Sequence, residues 1–595
     1  MKNLNYLLLF GLLTCFSTGM FAQVSGTVNI PGNYPDLDAA ITALNTQGVG
    51  AGGATVNINA SQTCPSLGYQ LGSATLNASL SATSPLVING NNNTMTAYVG
   101  SRAGNVSNGS NDGMLMLNGV DYTTVQNIIF NDLPTNTTAT TAMETAIALY
   151  NLNSTPVSAD GCEHIEIKNC TVNFGNFATF GGAFLMLPSI HNGASTIAWT
   201  AGSGDIHRNI NIHDNNLASI YWGMNLRGAT SAASAENVTV SNNTITNSGG
   251  GSATGYGIYA SFIDGLTFTN NTLSGDVLQT GITYLAYGTS LTGDLKANNN
   301  TLTLQSGATT SGTYGMYLSS NGAREVNSNT VHFGSFPNIT SGIIYALYSF
   351  GTPASDNISI EMNGNTLNNE TLPGTSGTVY LLYNTAAVGT NRDIFINNNT
   401  ITNLSKTNSG TLYCIYAGTS SSTSVLNNTI SNIEVTNNSA SGSSSIYGVY
   451  GYVSPPIQII SNNIISGLKV TGTSTSTLGI IRGIMSGTIA AGTVVINDNT
   501  ISDLSFQTGT TTGSVQGIYT SLASHDIYNN NIYNINASQA AGLVRGMEII
   551  SGPEVNIYNN FISGLTAPNA NSNIAISGIH MTGGVNANVS YNTIY

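Results

Sequence analysis

The densest set of groups able to do proton or metal chemistry is Glu163-His164-Ile165-Glu166-Ile167-Lys168. In an extended strand with Ile165 and Ile167 inward, His164, Glu166 and Lys168 share the outward face. The stretch Asn209-Ile210-Asn211-Ile212-His213-Asp214 reads the same way and turns Asn209, Asn211 and His213 outward. A patch of His164, Glu166, Lys168 and His213 has the residue types for metal binding or acid–base work. The same residues also make a solvated sheet face with cross-strand charge pairs, each worth below about 1 kcal/mol. The sequence favours that plainer reading, so no metal or cofactor is expected.

A second constellation is aromatic. Tyr256-Gly257-Ile258-Tyr259, Tyr314-Gly315-Met316-Tyr317, Tyr447-Gly448-Val449-Tyr450 and Gln516-Gly517-Ile518-Tyr519 repeat one pattern. Tyr259, Tyr317, Tyr450 and Tyr519 then occupy equivalent positions, with Tyr380 and Tyr416 similar. Pointing outward, they would form a stripe able to stack on sugar rings with a polar tip available. Packed inward, or simply covering a sheet face, they or Tyr256, Tyr314 and Tyr447 would be structural. Carboxylates are sparse: there is no adjacent Asp-Asp pair, and Asp264 and Asp294 have almost the spacing of one repeat but lie beside Gly265 and Gly293, as turn residues do. Cys64, Cys162, Cys170 and Cys414 show no metal-like spacing, and Cys162 and Cys170 are too far apart along an extended run for a local disulfide.

These residues are positioned by a repeat. An apolar residue, two positions, an asparagine, one position and another apolar residue recur with the asparagine at Asn215, Asn243, Asn271, Asn300, Asn329, Asn365, Asn399, Asn428, Asn463, Asn499, Asn530, Asn560 and Asn592. The interval runs from 28 (Asn215 to Asn243) to 36 (Asn329 to Asn365) residues. A unit of that length, stacked on its neighbours, makes a solenoid. The apolar residues three before and two after the asparagine must both point inward, which strict alternation forbids, so the chain turns a corner there. Asparagine tolerates the left-handed conformation a corner needs, and its amide can both donate to and accept from the next one. With coils about 4.8 Å apart this gives a continuous ladder. The fold class is therefore all-β, a right-handed parallel β-helix solenoid of about fifteen coils with an N-terminal cap containing a short helix.

Along the chain, residues 1–22 read as a signal peptide: Lys2, an apolar run from Leu7 to Leu13, and Gly19-Met20-Phe21-Ala22 before Gln23. Residues 23–60 read as a cap, with a strand from Val24 to Ile30, a helix from Asp36 to Asn45 that Pro35 would start, and a strand from Thr55 to Asn59. In residues 61–204 the coils are irregular, with Ile128 and Cys170 at the asparagine position and an inserted loop around 175–204. Residues 205–595 are regular coils. Charged residues make up only 6% and the formal charge is −14, which argues against nucleic acid as a partner. No segment is long and apolar enough to span a membrane as a helix.

The Asn-Asn-Thr-Ile phrase (Asn242 to Ile245, Asn398 to Ile401, Asn427 to Ile430) resembles the coils of parallel β-helix proteins of the pectate-lyase-like superfamily. The start, Val28-Asn29-Ile30-Pro31-Gly32-Asn33-Tyr34-Pro35-Asp36-Leu37-Asp38-Ala39-Ala40-Ile41, with Gly48-Val49-Gly50 and Asp160-Gly161-Cys162, resembles large exported β-helix proteins of the Bacteroidetes type. The resemblance implies a secreted or cell-surface protein, usually with a C-terminal sorting domain for type IX secretion. No such domain is visible before Tyr595, which follows a coil phrase by one residue, so a truncated C-terminus is expected. Enzymes of the superfamily cleave polysaccharides, but their Asn-Thr-Asp, Asp-Asp, Gly-His-Gly and Arg-Ile-Lys signatures do not occur in this chain. The expected role is an exported, surface-associated structural or adhesive protein without catalytic activity, with polysaccharide or cell-surface components as partners. A polysaccharide lyase or glycoside hydrolase with a loop-assembled site, and a carbohydrate-binding module using the tyrosine stripe, stay open as alternatives.

Overall fold

In a computed structural model, the described residues are 22–99, 113–133, 143, 145–152, 160–174, 183–187, 206–228, 233–351, 358–386, 393–418, 422–440, 442–452, 457–474, 479–487, 492–509 and 512–595. The expected signal peptide lies outside them but for Ala22. So does most of the expected inserted loop, although Ala183–Leu187 within it is a strand.

Each coil gives one strand to each of three parallel sheets, and each strand pairs with its counterpart one coil on. Two of these sheets hold 18 and 16 strands. We call the sheet before the asparagine corner A, the one after it B, and the one carrying the tyrosines C. Registers are one-to-one over most of the length; in sheet B, Thr400 lies beside Thr429 and Ile401 beside Ile430. The interior is filled by aliphatic columns such as Ile401, Ile430, Ile465 and Ile501, all fully buried. The result is an all-β parallel solenoid of about fifteen turns.

The asparagine ladder runs unbroken from Asn215 to Asn592. Asn300 is representative. Its Nδ2 donates to Asn329 Oδ1 at 3.0 Å and to the Phe268 carbonyl of the preceding coil at 3.0 Å. Its Oδ1 accepts from the backbone N–H of Asn271 at 2.9 Å and from Asn271 Nδ2 at 3.1 Å. The left-handed residue of each corner is not the ladder asparagine, as the sequence suggested, but the one before it. Asn270, Asn299, Ser328, Asn398 and Asn427 have φ between 56° and 59°. Two jobs are thus split between neighbours: the first residue turns the chain, and the second satisfies the buried polar groups that the turn exposes.

At the N-terminal end, the strand Val24–Ile30 joins sheet A by pairing with Val49–Ile58. Helix α1, Leu37–Gln47, buries Leu37, Ala40, Ile41, Ala43 and Leu44. Its N-cap is Asp36, whose side chain accepts from Ala39 N at 2.9 Å; Pro35 sits before the cap rather than in the first turn. A second helix, α2 (Ala74–Ser79), has no signal in the sequence reading. It is capped by Ser73, which accepts from Leu76 N at 3.0 Å. Cys64, Cys162, Cys170 and Cys414 are buried free thiols.

Two predictions follow from the buried polar groups. Asn300→Ala removes five side-chain hydrogen bonds and leaves the Asn271 backbone N–H without its acceptor. We expect it to destabilise the coils around residue 300 by about 3–5 kcal/mol, seen as lost amide-exchange protection there. His525 is fully buried in the inward column of sheet A, between Val494 and Val555. Burial pushes its imidazole down to about 4 from 6.5. A folded pKa below the unfolded one means that the native state binds fewer protons between about pH 4 and 6.5, so stability falls as pH drops through that window. His525→Val should remove that loss, gaining up to about 3 kcal/mol over the parent as pH falls to 4, measured as a pH-dependent Tm difference.

Candidate functional site

The charged patch anticipated on sheet A is only partly assembled. Glu166 Oε2 accepts from Lys168 Nζ at 2.8 Å and from Thr124 Oγ1 at 3.1 Å, and Oε1 meets His213 Nε2 at 3.0 Å. His213 Nδ1 lies 2.6 Å from Asp214 Oδ2. Burial alone would raise the Glu166 carboxyl, but the hydrogen bonds from Lys168 and His213 outweigh it and hold it below the usual carboxylate range. His164 stands apart: its backbone is left-handed, and its ring stacks on Tyr122 of the preceding coil at 4.5 Å. Among the described residues no group of three or more His, Cys, Asp or Glu is arranged to hold a metal ion. Glu166 is engaged on both oxygens, which suits a cross-coil tie better than a proton donor. Asp264 lies beside Glu236 in register, and Asp294 Oδ1 accepts from Ala323 N at 3.0 Å.

Sequence reading missed a line of charge on the same sheet. Asp121, Glu163, Arg208, Glu236 and Asp264 stack in register at the start of successive strands. Arg208 bridges the coils on either side, 2.6 Å to Glu163 and 2.8 Å to Glu236. Asp121 Oδ1 accepts from Glu163 N at 2.9 Å, and Asp160 Oδ2 from Asn77 Nδ2 at 3.1 Å. Burial, with the charges of Asp160 and Glu163 adding to it, pushes the Asp121 carboxyl up to about 7. The signal was available: each residue stands first or second in its strand, just ahead of the inward-facing apolar positions.

The tyrosines on sheet C form a larger array than the sequence suggested. Tyr256, Tyr284, Tyr314, Tyr345, Tyr380, Tyr413 and Tyr447 make one column in register. Tyr259, Tyr287, Tyr317, Tyr348, Tyr383, Tyr416 and Tyr450 make a second column beside it. Tyr380 therefore belongs to the first column and not with Tyr259, while Tyr416 does belong to the second. Tyr519 keeps the second position but is separated from Tyr450 by Met485. Tyr284, Tyr287, Tyr345, Tyr348, Tyr383 and Tyr413 were missed because Leu, Ala or Cys replaces the glycine used as the landmark. The spacing Tyr-x-x-Tyr survives and would have found them.

A local irregularity creates the two columns. In Gly255–Ser261 both Gly257 and Ile258 are buried, so the half-exposed positions are Tyr256 and Tyr259, three apart rather than two. The alternation breaks there, so two consecutive residues face inward while the pairing with the next coil stays one-to-one. The first column stacks face to face, with centroids 4.5–5.4 Å apart and ring planes within 20°. In the second, Tyr259, Tyr287 and Tyr317 stack at 5.3 Å. Phe350 then packs against Tyr317 and Tyr348, and Tyr317 meets Tyr348 edge-on. Burial raises the phenols of the first column, Tyr256 to about 12, and that of Tyr317 in the second to about 12. Trp222 packs on Tyr256 and Tyr259 at one end. At the other, Arg482 and Met485 take the two positions, with the Arg482 guanidinium 3.7 Å over the Tyr519 ring.

No protein-family profile and no curated protein matches this chain. Among solved structures, an alginate lyase of family PL6, AlyGC, is 10% identical over 96% of this chain and 100% of its own, with a TM-score of 0.21. The A-module of the mannuronan C-5 epimerase AlgE6 from Azotobacter vinelandii is 11% identical over 92% and 94%, with a TM-score of 0.22. A tailspike protein of E. coli bacteriophage HK620 is 12% identical over 95% and 80%, with a TM-score of 0.25. Likeness at this level carries no site or activity to this chain.

Asp121 gives this site its prediction. A folded pKa raised to about 7 means that the native state loses stability as pH rises from about 4 through 7. Asp121→Asn keeps an oxygen for Glu163 N and cannot ionise. Its Tm should match the parent below pH 4 and exceed it increasingly up to pH 7, then stay level.

Proposed function

We propose that this is an exported, surface-associated scaffold without catalytic activity, whose adhesive face is the double tyrosine column and whose ligand is polysaccharide. The observation that carries the reading is that fourteen tyrosines stand in two adjacent columns across seven successive coils, all half-exposed but Tyr447, which is buried. A sheet face needs only small polar residues to meet water, and large amphipathic rings there add surface suited to ligands that mix apolar C–H groups with hydroxyls. Export rests on the segment from Lys2 to Ala22. A hydrolytic alternative has one specific support, since a half-buried carboxyl raised to about 7, as at Asp121, suits a general acid.

A glycan array distinguishes the readings. The parent should retain polysaccharides that a Tyr259→Ala/Tyr317→Ala/Tyr450→Ala variant binds at least about tenfold more weakly, a loss in the range that removal of several contacts produces. Reducing ends and unsaturated products measured in the same samples should not rise. Product formation abolished by Asp121→Asn would replace this reading with the hydrolytic one.

A further inference from the structure

The carbohydrate reading above leaves the ligand class open, and the arrangement of the rings narrows it. A tyrosine face can bind a sugar only if it is bare. In the first column every ring from Tyr284 to Tyr413 has a parallel neighbour on both faces, at 4.5–5.4 Å. Side chains stand roughly perpendicular to a sheet. Rings whose faces look along the coil axis therefore direct their long axes, and hence their phenol oxygens, away from the sheet. What this surface offers is two rows of hydroxyls; in the first no ring face between Tyr284 and Tyr413 is bare, while in the second Tyr348 is turned edge-on to both Tyr317 and Tyr383.

We propose that these rows take a neutral, unbranched, extended glycan lying along the coil axis, one sugar per coil, held by phenol hydroxyls. Three observations set that choice. The first is pitch: successive phenols repeat at the rung spacing, with first-column centroids near 5 Å (4.8 Å from Tyr345 to Tyr380, 5.0 Å from Tyr380 to Tyr413). That is close to the length of one pyranose in an extended β-linked chain. The second is the hydrogen-bonding character of both sides. A phenol donates and accepts, as a sugar hydroxyl does, so the two can pair in either direction. Tyr348 already accepts from Thr385 Oγ1 at 3.1 Å, so a phenol in this array does engage a neighbouring hydroxyl.

The third observation is charge. Between Tyr256 and Tyr450 the two columns hold only tyrosine. A phenol side chain carries no charge at neutral pH, and the chain carries a formal charge of −14. A polyanion would meet a field of its own sign with no cation within the two columns to offset it. The first charge in line is Arg482, and its guanidinium is engaged with Gln516 and lies over the Tyr519 ring. Trp222 and Arg482 therefore bound a neutral stretch of seven coils, roughly 29 Å between the outer rungs at about 4.8 Å per coil.

The test is affinity electrophoresis and calorimetry of the full chain with neutral linear β-1,4-glucan and β-1,4-mannan, against alginate and polygalacturonate. The neutral chains should bind and the acidic ones should not, and oligosaccharides of seven sugars should bind at least about tenfold tighter than those of three, as repeated contacts add. A Tyr317→Phe/Tyr348→Phe/Tyr383→Phe variant keeps the rings and loses three hydroxyls. It should lose at least about tenfold in affinity with its Tm unchanged; if the triple variant is unstable, Tyr348→Phe alone should show a smaller loss in the same direction. Undiminished binding by the phenylalanine variants, or preference for the acidic polymers, would overturn this inference while leaving carbohydrate binding in place. No binding of the parent to any of the four would overturn both.

Discussion

Every residue in a stacked-coil body lies beside the residue at the same position one coil away, about 4.8 Å distant. A position is therefore tolerated only if its occupant can sit next to itself many times over. Aliphatic side chains can, and they fill the interior. Asparagine can, because its amide donates at one end and accepts at the other, as in the chain of contacts from Asn271 through Asn300 to Asn329. Tyrosine can, by stacking. An ionised side chain cannot, since like charges at that spacing repel. This constraint accounts for the low charged fraction of 6%. Where carboxylates do stack, a cation can offset them, as Arg208 does between Glu163 and Glu236.

The same constraint explains why departures are concentrated in the polar interior. The inward column that passes through Ile360 and Ile394 also holds Arg324, Thr423, Gln458 and His525. None of these repeats in the next coil, so each must find partners within its own level. Arg324 does so through the Phe350 and Gly351 carbonyls of sheet C, and Gln458 through Ser486. Lys406, also buried, donates to the carbonyls of Thr375 and Ser409 at 2.7 and 2.5 Å, and burial lowers its ammonium to about 8. Such groups cost stability unless fully satisfied, and they tie the chain ends of neighbouring sheets together.

How much of this was legible in the sequence depended on periodicity. The asparagine positions were readable because one residue type recurs with apolar partners at fixed offsets. The exchange of roles at the corner was not, because Asn-Asn, Asp-Asn and Ser-Asn all place a turn-tolerant residue first, and only the dihedral angles show which of the two is left-handed. Half of the tyrosine array was hidden for a related reason. The glycine beside Ile258 looked like the invariant feature, yet at that inward position Leu285, Ala346, Leu381 and Cys414 serve equally, so the landmark failed where the tyrosines persisted. The line through Asp121 and Arg208 mixes five residues of three types, and a reading based on identity between repeats passes over it.

Repetition by itself does not mark a binding face in such a fold. Thr244, Thr272, Thr301, Thr330, Thr366, Thr400 and Thr429 form a column on sheet B as regular as either tyrosine column, and they too face outward. Threonine there is explained by strand propensity and water alone. Tyrosine is not. Each ring extends the apolar surface left in contact with water, and stacking relieves only its two faces. Seven coils keep that arrangement in two adjacent columns, although the neighbouring coils show that Asn225, Arg482, Met485 and Gln516 are accommodated at the same positions. Packing requires something at these sites, but it does not require tyrosine. On the proposed reading, the residue choice answers to what approaches the face from outside rather than to what lies beneath it.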